Sequence, residues 1–147
     1  MKLLLSTVML ISMFFSTHIY AQETLPTKHY FQFKVACYHT SRQAGQTVNV
    51  YVRYAYKNGI QESEYPDYRL LRESVMNYME PTERFPEATF WEILAKNMAE
   101  ELLQKYSLAA ISVQLDVLDN TSPQAYEPGD HGPTYTIGDI PPLDIHH

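Results

Sequence analysis

HYFQFKVACYHTSRQAGQTVNVYVRYAYK, residues 29–57, is the stretch whose reading decides the fold. From His29 to Tyr38 the apolar residues alternate, with Phe31, Phe33, Val35 and Cys37 on one side, as in a half-buried strand. Thr40 to Gln46 is a polar turn containing Gly45. Thr47 to Lys57 alternates again, with Val48, Val50, Val52 and Tyr54 on one face and Tyr51 and Arg53 on the other. Two such runs with a short connection read as an antiparallel hairpin, ended by Asn58-Gly59. Within this pattern Cys37 is expected to be a buried thiol.

Downstream the period changes from two to that of a helix. Leu71, Val75 and Met79 recur at helical spacing over Tyr68 to Met79, and Asp67 is placed to cap that helix by accepting an unpaired N–H. Pro81 and Pro86 enclose a breaker. A second helix is expected from about Ala88 to Tyr106, with Trp91, Leu94, Ala95, Met98, Leu102 and Tyr106 as its apolar stripe. Ile111 to Leu118 reads as a third strand, with Ile111, Val113, Leu115 and Val117 on one face. Beyond Asp119 the apolar pattern fades into Pro- and Gly-punctuated sequence, where only Pro133 to Ile137 looks able to add a short fourth strand. Strand, strand, helix, helix, strand, strand implies an α+β domain: an antiparallel sheet with both helices on one face.

That domain, residues 29–120, is preceded by an export signal. Lys2 supplies a positive start and Leu3–Phe15 an apolar stretch, while Ala21 is a small residue suited to cleavage before Gln22. The apolar run is shorter than the about 20 residues of a spanning helix. Residues 1–21 are therefore expected to be removed and the chain to be periplasmic or secreted, with no membrane span after cleavage. Residues 22–28 form a polar leader, and residues 121–147 a Pro/Gly-rich C-terminal segment.

Cleavage removes only Lys2 among the charged residues, so 11 basic residues become 10 against 17 acidic, net −7. An acidic surface with no basic stripe repels phosphate backbones, so nucleic acid is not an expected partner. A single cysteine excludes an intramolecular disulfide, and the fold must stand on packing, with oligomerisation as a further aid. No GxSxG, Walker A or HExxH pattern occurs. The histidines lack the spacing of a metal site, and neither a metal nor a cofactor is expected. Many of the tyrosines cluster between Tyr51 and Tyr78, where they suit either a stacking surface or ordinary packing.

Several short motifs, in order, resemble the dihydroneopterin aldolases, members of the tunnelling fold. Tyr38-His39 closes the first strand, Gly45-Gln46 opens the second, and Asp67-Tyr68 with Leu71 and Val75 begins the first helix. Thr89-Phe90-Trp91-Glu92-Ile93-Leu94-Ala95, continued by Ala99-Glu100, sits where that family has its Glu-bearing helix start. The resemblance covers about Tyr30 to Leu118. It implies a ββααββ domain whose sheets pair between subunits into a multimeric barrel, a tetramer or larger ring, with pockets between subunits.

The resemblance also implies roles. Glu92 matches the carboxylate that binds the pterin ring through two side-by-side donors, which suits an acceptor-only group. Backbone groups near Phe90 and Trp91 would complete recognition of the ring edge. Tyr68 matches the tyrosine that borders the pocket and takes part in proton transfer. The departures lie in the reaction half. Val117 stands nearest the family's catalytic lysine, and Ile111–Asn120 contains no Lys or Arg. The loop glutamate has no counterpart among Thr40–Ala44. A proton shuttle needs a titratable group, which His39 could supply in part. The leading expectation is an exported protein that binds a pterin- or purine-like ring without efficient aldolase turnover. An active aldolase or epimerase using Tyr68 and His39 is the alternative, and a non-catalytic interaction module a third.

Overall fold

Alternation in residues 29–57 becomes a twisted pair of strands in the structure, a computed structural model that describes residues 29–122, 124 and 127–143. Strand β1 spans Tyr30–Thr40 and β2 Gln46–Ala55. Phe31 faces Tyr54, Phe33 faces Val52 and Val35 faces Val50. The pairing then slips: Tyr38 faces Val48, so Ala36 and Cys37 together oppose Asn49, a β-bulge. Cys37 takes a positive φ of 50°, and its N–H donates to Asn49 Oδ1 at 2.9 Å. Contrary to expectation, its thiol is exposed. The extra residue inverts the alternation, so that Thr40 turns inward.

Helix α1 spans Tyr68–Met79, with the Asp67 carboxylate accepting from the Arg69 N–H at 3.0 Å as the capping argument requires. Helix α2 spans Trp91–Lys105. It starts three residues later than the sequence suggests, because Thr89 closes a turn onto the Pro86 carbonyl and Phe90 is still extended. Strands β3 (Ala110–Val117) and β4 (Thr134–Ile137) complete an antiparallel sheet in the order β1-β2-β3-β4.

Both helices cover one face. Val48, Val50, Val52, Ile111, Val113 and Leu115 from the sheet pack with Leu71, Val75, Leu94, Met98 and Leu102 in one core. Each such side chain contributes on the order of 1.5–3 kcal/mol by leaving water. The C-terminal segment crosses part of the opposite face. The Leu143 N–H donates to Ser112 Oγ at 3.1 Å, the Arg53 guanidinium donates to the Pro141 carbonyl at 3.1 Å, and Ile140 and Leu143 are buried. This explains why β3 is buried along nearly its whole length. The segment 1–21 expected to be a signal, the expected leader 22–28 and His146-His147 lie outside the described residues. Among the described residues no helix is long and apolar enough to cross a membrane.

Candidate functional site

The turn between β1 and β2 fixes where α2 begins. Arg42 is fully buried, and its guanidinium donates to three backbone carbonyls: Tyr78 at 3.0 Å, Pro86 at 2.8 Å and Glu80 at 2.7 Å. Burial lowers the guanidinium pKa, opposed by the nearby Glu80 charge. Gln43 Nε2 donates to the Thr89 carbonyl at 3.1 Å, and the Ala44 N–H to the Glu87 carboxylate at 3.2 Å. Thr40 Oγ1 donates to the Met79 carbonyl. The polar turn therefore faces inward and grips the α1–α2 connection. Hydropathy gives no sign of this, because Arg42 and Gln43 look like solvated turn residues.

The grip presents the first turn of α2. Phe90 is 67% exposed and offers no side-chain cap. Its backbone carbonyl accepts from the Ile93 and Leu94 N–H groups at 3.1 and 3.2 Å, so that in the first turn only the Trp91 and Glu92 N–H groups take no partner from it. Glu92 is exposed in that first turn, and its carboxylate has no hydrogen bond or ion pair among the described residues. Trp91 is different: its side chain is buried, and its indole N–H donates to Glu127 Oε2 at 3.0 Å. Any contact of Trp91 with a ligand thus falls to its backbone. The same Glu127 oxygen lies 3.0 Å from His131 Nε2, and His131 Nδ1 lies 2.7 Å from the Gly129 carbonyl. This Trp91–Glu127–His131 group escaped sequence reasoning: Glu127 and His131 stand four residues apart, but outside any helix, and Trp91 joins them from 36 residues away.

At this end of the sheet His39 Nδ1 meets Thr47 Oγ1 at 2.8 Å. Thr47 also lines a cavity of about 300 Å³ with Gly45, Gln46, Leu118, Asp119, Asn120 and Thr121. Val117, expected nearest the lost lysine, is fully buried, and its backbone pairs with His131. Nearby, the Tyr38 hydroxyl donates to Glu80 at 2.9 Å, a bond to a carboxylate that raises the phenol pKa. Among the described residues no three His, Cys, Asp or Glu side chains converge as metal ligands.

Tyr68 sits elsewhere. At the start of α1 its ring stacks on Phe31, with centroids 5.1 Å apart, and leans on Phe33 at 6.1 Å. Phe31 pairs with Tyr54, which pairs with Ile111 at the beginning of β3, whereas Trp91 reaches through His131 to Val117 at its end. Ile111 to Val117 is about 20 Å of strand. Tyr68 and Glu92 therefore lie toward opposite ends of the sheet, and the structure does not bring them together. Tyr68 and Leu70 are exposed at the first end, Phe90 and Ile93 at the second.

No protein-family model and no curated protein matches the sequence. Solved structures do match the fold. Dihydroneopterin aldolase from Burkholderia thailendensis, solved bound to guanine, aligns with a TM-score of 0.56 and 15% identity over 77% of this chain and 93% of its own. The Escherichia coli dihydroneopterin aldolase, solved in complex with neopterin, aligns with a TM-score of 0.53 and 14% identity over 74% of this chain and 99% of its own. The class defined is a tunnelling-fold domain. Within that class, the chain has the α+β architecture of the dihydroneopterin aldolases, at a far remove in sequence.

Proposed function

We propose that this chain is an exported tunnelling-fold protein that binds a flat pterin- or purine-like heterocycle through Glu92 without efficient aldolase turnover. The observation that carries the reading is the state of Glu92: an exposed carboxylate, without a partner among the described residues, in the first turn of a helix that has no side-chain cap. Guanine and neopterin share an edge on which a ring carbonyl adjoins a ring N–H and an exocyclic amine. A carboxylate accepts from the two donors, while a backbone N–H of the first turn donates to the carbonyl. Phe90 supplies apolar surface beside that edge.

Turnover is set apart from binding by Val117. A buried valine within a backbone ladder neither carries nor moves a proton, and the inward-facing turn at Arg42 offers no loop acid in its place. Export agrees, because a folate precursor pathway is cytoplasmic. Tyr68 enters from a second copy. The exposed Tyr68–Leu70 end of one chain and the exposed Phe90–Ile93 end of the next form a head-to-tail contact that closes into a ring.

Calorimetry of the chain beginning at Gln22 with neopterin and with guanine tests the reading. Binding is expected, together with a loss of about tenfold or more in Glu92→Gln, which cannot accept from both donors. Unchanged affinity in that variant, or no binding by the parent, contradicts it. Release of glycolaldehyde from dihydroneopterin would instead establish the aldolase alternative, with Tyr68 and His39 as its acid–base groups.

A further inference from the structure

We propose that Glu127 and His131 are a pH-sensitive positioning pair, which orients Trp91 and with it the first turn of α2 while His131 is doubly protonated. Its link to ligand affinity rests on the reading of Glu92 above; the pair itself does not.

Both nitrogens of His131 face oxygens that only accept. Nδ1 is 2.7 Å from the Gly129 carbonyl and Nε2 is 3.0 Å from the Glu127 carboxylate. A neutral imidazole has one N–H, so it satisfies one of these and turns a lone pair toward the other. Only the imidazolium makes both bonds. Glu127 Oε2 is also the acceptor for the Trp91 indole N–H, so one oxygen carries the state of His131 to α2.

The backbone of His131 has little freedom to absorb the change. Its N–H and C=O pair with Val117 at 3.1 and 2.7 Å. The next residue, Gly132, runs so close to β3 that a Cβ would stand 1.8 Å from the Leu115 carbonyl oxygen. The movement on deprotonation therefore falls on the Glu127 side chain. Among the described residues the charged groups facing His131 are acidic. Glu127 bonds to it, Asp130 is its neighbour, and Asp119 accepts from the Gly129 N–H at 2.6 Å. From α2 the partner is the neutral Trp91 indole, and from β3 it is backbone. Burial lowers the imidazole pKa, but the bonds to Gly129 and Glu127 and the two acidic charges outweigh it and hold the pKa above 6.5. The pair is complete below about 6.5 and is lost as pH rises through that higher value.

Trp91 is the sole tryptophan, so its emission reports this group alone. Titrating the fluorescence of the chain from Gln22 between about pH 5 and about pH 9 should show one transition, centred above the ordinary histidine value. His131→Gln should abolish it and Glu127→Gln should move it downward. A flat titration of the parent, or a transition that survives His131→Gln, overturns the pair. Should His131→Gln lose its far-UV circular dichroism, Glu127→Gln decides, and an unmoved midpoint overturns the proposal. For the link to the site, neopterin affinity by calorimetry should fall about fivefold across the midpoint in the parent relative to His131→Gln, a comparison that removes the ligand's own titration. Equal pH profiles in the two overturn the link. No neopterin binding at any pH, with the fluorescence transition intact, overturns the ring-binding reading and its link while the pair stands.

Discussion

At one end of the sheet a buried guanidinium ties the β1–β2 turn to three carbonyls of the α1–α2 connection; at the other, Tyr68 lies on Phe31 and Tyr56 lies on Tyr65. The first end is held by directional bonds that fix backbone position. The second is held by ring faces, which tolerate sliding and leave Tyr68 40% exposed. The two therefore suit different tasks. A ring edge read by hydrogen bonds needs the placement that Arg42 gives to the start of α2. A covering aromatic supplied to a neighbouring copy needs exposure more than placement.

Removing the directional end is expected to cost most. Arg42→Ala leaves three carbonyls without their donor and should destabilise the domain by about 3–5 kcal/mol, read from urea unfolding. Arg42→Lys should recover less than half of that, because a single ammonium lacks the planar fork that reaches three oxygens. Full recovery by lysine would show that charge matters there and geometry does not. Tyr68→Ala is expected to cost only about 1–2 kcal/mol in the isolated chain, the worth of its ring contacts, while weakening association measured by light scattering. A larger loss of stability, with association untouched, would make Tyr68 an internal packing residue and erase the contrast.

Most of the architecture is legible in hydropathy because it is built from apolar alternation. Val48, Val50 and Val52 mark β2, Leu71, Val75 and Met79 mark α1 within its observed bounds, and Asp67 marks its start. What the sequence hides is decided by polar atoms. Cys37 continues the alternation on paper, yet the bulge opposite Asn49 turns it outward, and no glycine announces the positive φ. Arg42 carries charge in a turn, yet it is buried because carbonyls from distant residues converge on it. Glu92 is visible as an acid at a helix start, but its separation from Tyr68 depends on the sheet being assembled. Glu127 and His131 are only four residues apart, but they lie in a Pro/Gly-rich segment with no helical period, and nothing local marks the bond from Trp91 to the same carboxylate.

The central claim is that the ring-binding pocket takes Glu92 from one copy and Tyr68 from the next. Mixing Glu92→Ala with Tyr68→Ala, after unfolding and refolding together, tests it directly by neopterin calorimetry. Each variant alone should bind weakly or not at all. In a mixed ring about a quarter of the pockets combine an intact Glu92 with an intact Tyr68, so about that fraction of parental binding should return. Recovery to that level is the result this account requires; a mixture no better than the two variants measured separately would contradict it.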